Sequence, residues 1–129
     1  MRILFLDDNS ARHEVMDTRY PLDEIIHVYD IHAYREALEK YDRFDMVSLD
    51  HDLNDFHEEG HRSYICDSQA TGVDACGYLM NYRDKLPAVI GIHSSNGNGA
   101  RAMMTFLDSK GVAHRWIMFQ DSSTEEEEE

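Results

Sequence analysis

The chain has 129 residues, enough for one domain with a real core and too few for two ordinary ones. Hydrophobic residues make up 42%, and the formal charge is −14; removing the five charges of the glutamate run 125–129 leaves −9, so the folded part is itself acidic. That balance disfavours binding to the backbone of duplex nucleic acid, and two cysteines, Cys66 and Cys76, are too few for a disulfide framework.

The opening "MRILFLDD" meets an Asp pair after only a few apolar residues, which is too short a run for a signal-peptide core or a membrane span. A cytoplasmic protein without membrane contact is expected. "RILFL" reads as a strand buried on both faces and ends at Asp7 and Asp8. Asn9 or Ser10 caps a short helix through "ARHEVMDTR", which Pro21 stops. "EIIHVY" is a second strand, ending at Tyr29 and Asp30. "HAYREALEKY" places Tyr34, Ala37, Leu38 and Tyr41 at helical spacing. "DMVSL" is a third strand, and Asp50, His51 and Asp52 crowd its end.

Beyond a loop, "GVDACGYLMNYR" puts Val73, Cys76, Leu79 and Met80 on one helical face, and Pro87 closes that unit. "AVIGI" is a fourth strand, followed by His93, Ser94, Ser95 and Asn96. "ARAMMTFLDSK" is a helix with Ala100, Met103, Met104 and Leu107 inward and Gly111 as its C-cap. "HRWIMF" is the last strand, ending near Gln120 and Asp121. The expected organisation is one domain over residues 1–120 with an acidic disordered tail over 121–129.

Alternating strands and helices imply right-handed crossovers and a parallel α/β sheet covered on both faces. In such sheets the functional crevice lies at the carboxyl ends of the strands, where the polar groups above converge. Three carboxylates there repel one another, and hard oxygen ligands suit Mg²⁺ or Mn²⁺, so a divalent cation is expected on Asp7, Asp8, Asp50 and Asp52. It would join an anionic substrate to an acidic wall. His51 and His93 are placed to handle protons near neutral pH. Ser94, Asn96, Gly99 and Arg101, with the N–H groups of the "NGNG" turn, are placed to hold a phosphate. Arg12 and His13 follow the acidic pair and are further candidates; His27, His32 and His114 are read as structural or surface residues.

Two patterns mislead. His57, Glu58, Glu59, Gly60 and His61 spell HExxH, but a central Gly and no apolar periodicity argue for a loop rather than a metalloprotease helix. A zinc site on His57, His61 and Cys66, or a substrate lid, suits that stretch better. An EF-hand from Asp50 fails, because Asp55 stands where Gly is required and His61 where a Glu belongs.

The acidic pair after the first strand and the Asp after the third resemble the receiver domain of response regulators. By that resemblance Asp50 is the phospho-acceptor position and the sheet order is 2-1-3-4-5. A receiver carries Lys after its fifth strand, which "HRWIMFQDSS" does not offer. "LFLDDN", "SLDHDL", "TGVDACGYL" and "HSSNGNGARAM" are more similar to the cyclic-phosphate processing receiver domain family, in order and over nearly the whole chain. This resemblance implies a metal-dependent phosphoesterase acting on a cyclic phosphate or phosphomonoester of a nucleotide or RNA end. The alternative is a non-enzymatic signalling or nucleotide-binding module, since the Lys of the phosphorylation switch is missing. The acidic, Ser-rich end in place of a last helix leaves one sheet face thinly covered, so a homodimer is expected there.

Overall fold

The computed structural model of the chain describes residues 1–53, 71–94 and 97–117. The loop with the HExxH pattern and Cys66, residues Ser95 and Asn96, and the acidic tail lie outside the described residues. The elements run β1 (Arg2–Leu6), α1 (Ser10–Arg19), β2 (Glu24–Val28), α2 (Ile31–Lys40), β3 (Met46–Leu49), α3 (Gly72–Leu79), a 3₁₀ helix (Met80–Lys85), β4 (Ile90–Ile92), α4 (Gly97–Ser109) and β5 (His114–Trp116). All strand pairs are parallel and the order is β2-β1-β3-β4-β5, as expected for a receiver-like fold.

The first three α-helices begin where a short polar side chain replaces a missing backbone partner. Asn9 accepts the Ala11 N–H at 2.8 Å and Asp30 the Ala33 N–H at 2.8 Å. Thr71 and Asp74 form a reciprocal capping box at α3. Three boundaries differ from the sequence reading. The third helix stops at Leu79 and tightens into the 3₁₀ helix, so Ala75 rather than Met80 joins Cys76 and Leu79 in the core. The fourth helix starts at Gly97, so the glycines read as a turn form its first turn. The fourth strand is three residues, because pairing with β5 begins only at Ile90. Gly111 closes α4 in the left-handed region at φ 72°, with the Val112 N–H returning to the Leu107 carbonyl at 2.9 Å.

Strand alternation sends Leu4, Leu6, Val47, Leu49, Ile90 and Ile92 to one face, where they pack with Tyr34 and Leu38 of α2, Cys76 and Leu79 of α3, and Met103 and Leu107 of α4. Each such fully buried side chain stabilises the fold by about 1.5–3 kcal/mol. The other face is thin: among the described residues Ile3 and Phe5 meet only Met16 of α1 as a buried apolar partner. Beside that cluster, Tyr20, Met46, Ser48, Gly91, Arg115 and Ile117 line a cavity of about 390 Å³. Among the described residues no helix is long and apolar enough to cross a membrane.

Candidate functional site

The carboxyl ends of β1, β3 and β4 are adjacent because β1 and β4 flank β3. The Asp50 N–H donates to the Leu6 carbonyl at 3.0 Å and the His93 N–H to the Leu49 carbonyl at 3.0 Å, which carries the ladder one step past each strand and fixes the three ends in register. Asp7, Asp50 and His93 are thereby brought together, each almost fully buried, with ligating atoms all within 4.8 Å of one another.

Asp7 is clamped. Its Oδ1 accepts the Asn9 N–H at 2.8 Å, and its Oδ2 accepts Arg12 Nε–H at 2.7 Å and a hydrogen bond from His93 Nε2 at 2.9 Å. Burial raises the Asp7 pKa, but these donors outweigh it and hold the carboxyl below its ordinary value. Asp50 is the opposite case. Only 2% exposed, it has an Oδ2 with no hydrogen-bond partner among the described residues, and Arg12 Nη2 stands 3.9 Å away. Burial first, then the charges of Asp7 and Asp8, push its pKa up to about 8. A buried carboxylate oxygen that accepts no hydrogen bond, beside a second carboxylate, costs several kcal/mol unless a cation or proton occupies the space. This pair therefore fits a hard divalent cation on oxygen ligands.

The remaining candidates fall around this trio. Asp8 is buried next to it, whereas Asp52 turns outward, its side chain 61% exposed and paired with His51 Nδ1 at 2.9 Å. The His51 ring lies against Gly99, where an added Cβ would stand 2.4 Å from the ring. Gly72 is similarly tight, since an added Cβ there would stand 2.4 Å from the Asp50 carbonyl oxygen, so both helices that close on the end of β3 do so through glycine. Ser94 is buried, and its carbonyl accepts Trp116 Nε1–H at 3.2 Å. Arg101 is exposed on α4, and no ion pair joins it to the acidic residues among the described residues. Asn96 lies outside the described residues.

Arg12 and His13 are more deeply involved than their spacing revealed. His13 Nε2 donates to the Asp7 carbonyl at 2.8 Å, its Nδ1 meets His27 Nδ1 at 2.6 Å, and His27 Nε2 meets Asp17 Oδ1 at 2.9 Å. The contact between the two Nδ1 atoms pairs an N–H of one ring with the lone pair of the other. Burial lowers the pKa of His13 itself. Sequence reasoning missed Ser48 altogether. Its one signal was a hydroxyl inside a strand buried on both faces, which demands a partner.

Residues 2–109 match the family described as Cyclic-phosphate processing Receiver domain. A comparison with curated proteins gives no match. Among solved structures, the chain is similar to a response regulator from Burkholderia pseudomallei with a phosphorylated aspartic acid, calcium ion and citrate, at 10% identity and TM-score 0.65, covering 96% of this chain and 62% of that one. It thus spans under two thirds of that protein's length. It is also similar to the receiver domain of a sensor histidine kinase from Pseudomonas aeruginosa with a magnesium ion in the active site cleft, at 16% identity and TM-score 0.65, covering 98% and 91%. A third likeness is the non-phosphorylated receiver domain HemR from Leptospira biflexa, at 20% identity and TM-score 0.62, covering 96% and 86%. At these identities the structures speak for the fold.

Proposed function

The chain belongs to the Cyclic-phosphate processing Receiver domain family, and from that premise we propose that it is a metal-dependent phosphoesterase acting on a cyclic phosphate of a nucleotide or RNA end. The observation that carries the reading is the buried Asp50 Oδ2, which has no hydrogen-bond partner among the described residues, beside the clamped Asp7. In this reading Asp7, Asp8 and Asp50 hold Mg²⁺ or Mn²⁺, with Asp52 at the rim. A cation bound there supplies Lewis acidity to the phosphoryl group.

The chain's own side chains do the rest. Arg12 projects a guanidinium between Asp7 and Asp50 and takes the place of the lysine that a receiver carries after its last strand. Asp52 accepts from His51 Nδ1–H, which leaves the Nε2 lone pair of His51 to take a proton. His93 steadies Asp7. Ser94, Asn96, Gly99 and Arg101 are assigned to the phosphate side. Four carboxylates, Asp52 included, against Arg12, Arg101 and one divalent cation sum to a neutral site, which accepts a monoanionic cyclic diester more readily than a dianionic monoester.

The test is incubation with Mg²⁺ or Mn²⁺ and a panel of 2′,3′- and 3′,5′-cyclic nucleotides, followed by phosphorus NMR. A phosphomonoester product that Asp50→Asn does not form supports the reading. Nucleotide binding without product points to the non-enzymatic module, and neither binding nor product removes both. The expected homodimer is assigned to the thinly covered α1 face; a monomeric mass by light scattering at micromolar concentration counts against it.

A further inference from the structure

Ser48 lies inside β3 between Phe5 of β1 and Gly91 of β4, and its side chain is on the α1 face. It is 1% exposed. Its Oγ is 2.6 Å from His93 Nδ1, while His93 Nε2 is 2.9 Å from Asp7 Oδ2. The imidazole stacks on Phe5 with centroids 4.6 Å apart and planes 13° from parallel, so the ring plane is fixed as well as its two ends.

Hydrogen-bond accounting orders this array. The Asp7 carboxylate only accepts, and its Oδ2 already takes Arg12 Nε–H, so His93 must present Nε2–H. A neutral ring in that form has its lone pair on Nδ1, which requires a donor. The Ser48 hydroxyl is that donor, and all three groups are buried away from water.

We propose that Ser48 is a positioning residue that sets the tautomer of His93 and, through it, the orientation of the Asp7 carboxylate. Without the hydroxyl, Nδ1 loses the donor that Ser48 supplies. The ring then gains by moving its proton to Nδ1 or by turning over, and in either case Asp7 Oδ2 loses a donor. Partners that orient a metal ligand from behind typically change cation affinity 10–100-fold. This second consequence rests on the cation reading above; the hold on His93 does not.

The experiment is long-range proton–nitrogen NMR of histidine-labelled full chain, together with Mn²⁺ titration, for wild type, Ser48→Ala and Ser48→Thr. His93 is expected as the Nε2–H tautomer in the wild type. Ser48→Ala should lose that signature and bind Mn²⁺ about ten-fold more weakly or worse, and Ser48→Thr, which keeps a hydroxyl, should restore both. If the Ala variant does not fold, Ser48→Val, which has the shape of Thr and no hydroxyl, gives the same comparison against Ser48→Thr. A folded Ser48→Ala or Ser48→Val protein with the wild-type tautomer overturns the proposal. A wild type in the Nε2–H form that binds no Mn²⁺ sinks the cation reading, while loss of the signature on substitution still supports the role of Ser48.

Discussion

Asp50→Asn should stabilise the metal-free protein, although Asp50 stands at the centre of the site. The ordinary carboxyl value of 3.8 rises to about 8 in the fold, so between those values the folded state keeps a proton that the unfolded chain has released. The Asp50 contribution to wild-type stability is therefore greatest below about pH 4, falls by about 1.4 kcal/mol per unit through the window, and levels off above about pH 8. The full span sets an upper bound of about 5–6 kcal/mol; water admitted to the opened cleft reduces it, and we expect about 2–3 kcal/mol near pH 8. Asn keeps the shape and cannot ionise, so it escapes the loss. The assay is urea unfolding in chelator at several pH values. The variant should match wild type near about pH 4 and exceed it near about pH 8. Excess Mn²⁺ should then reverse the ranking, since a ligand at a hundred times its dissociation constant stabilises by about 2.7 kcal/mol. Wild-type stability that stays flat across the window, or an Asn variant less stable at the upper end, refutes the burial argument.

Arg12→Gln removes the cation paired with Asp7 and should lower stability by about 1–2 kcal/mol at neutral pH, read by denaturant midpoint, while weakening phosphate affinity in the presence of Mn²⁺. Gly99→Ala places a methyl carbon against the His51 ring and should cost about 1–3 kcal/mol; a shifted His51 proton resonance with α4 intact checks it. Tyr34→Phe deletes a buried hydrogen bond of 2.7 Å from the hydroxyl to the Ala75 carbonyl and should cost about 1–2 kcal/mol with no effect on Mn²⁺ binding.

The layered architecture was readable because β1, β3 and β4 are short apolar runs closed by Asp7, Asp50 and His93, a contrast that survives without any neighbour. What pairs with those residues was not readable. Ser48 needs the register of β3 on both neighbours to reach His93, and the His13–His27 contact exists only because β2 lies beside β1 under α1. Arg12 was a candidate only through its place after the acidic pair, since nothing local marks a guanidinium that turns back toward two carboxylates. The start of α4 was misplaced because glycine disfavours helix on its own, whereas here Gly99 is the residue that lets the helix approach His51.

That approach has a mechanical result. With no atom of clearance between the imidazole of His51 and the backbone of α4, the ring acts as a wedge whose rotation and the seating of the helix are one coordinate. Because α4 rests on α3 and β5, any molecule that displaces the wedge also shifts the far flank of the sheet, and a reporter on Trp116 should sense occupancy without touching the occupant.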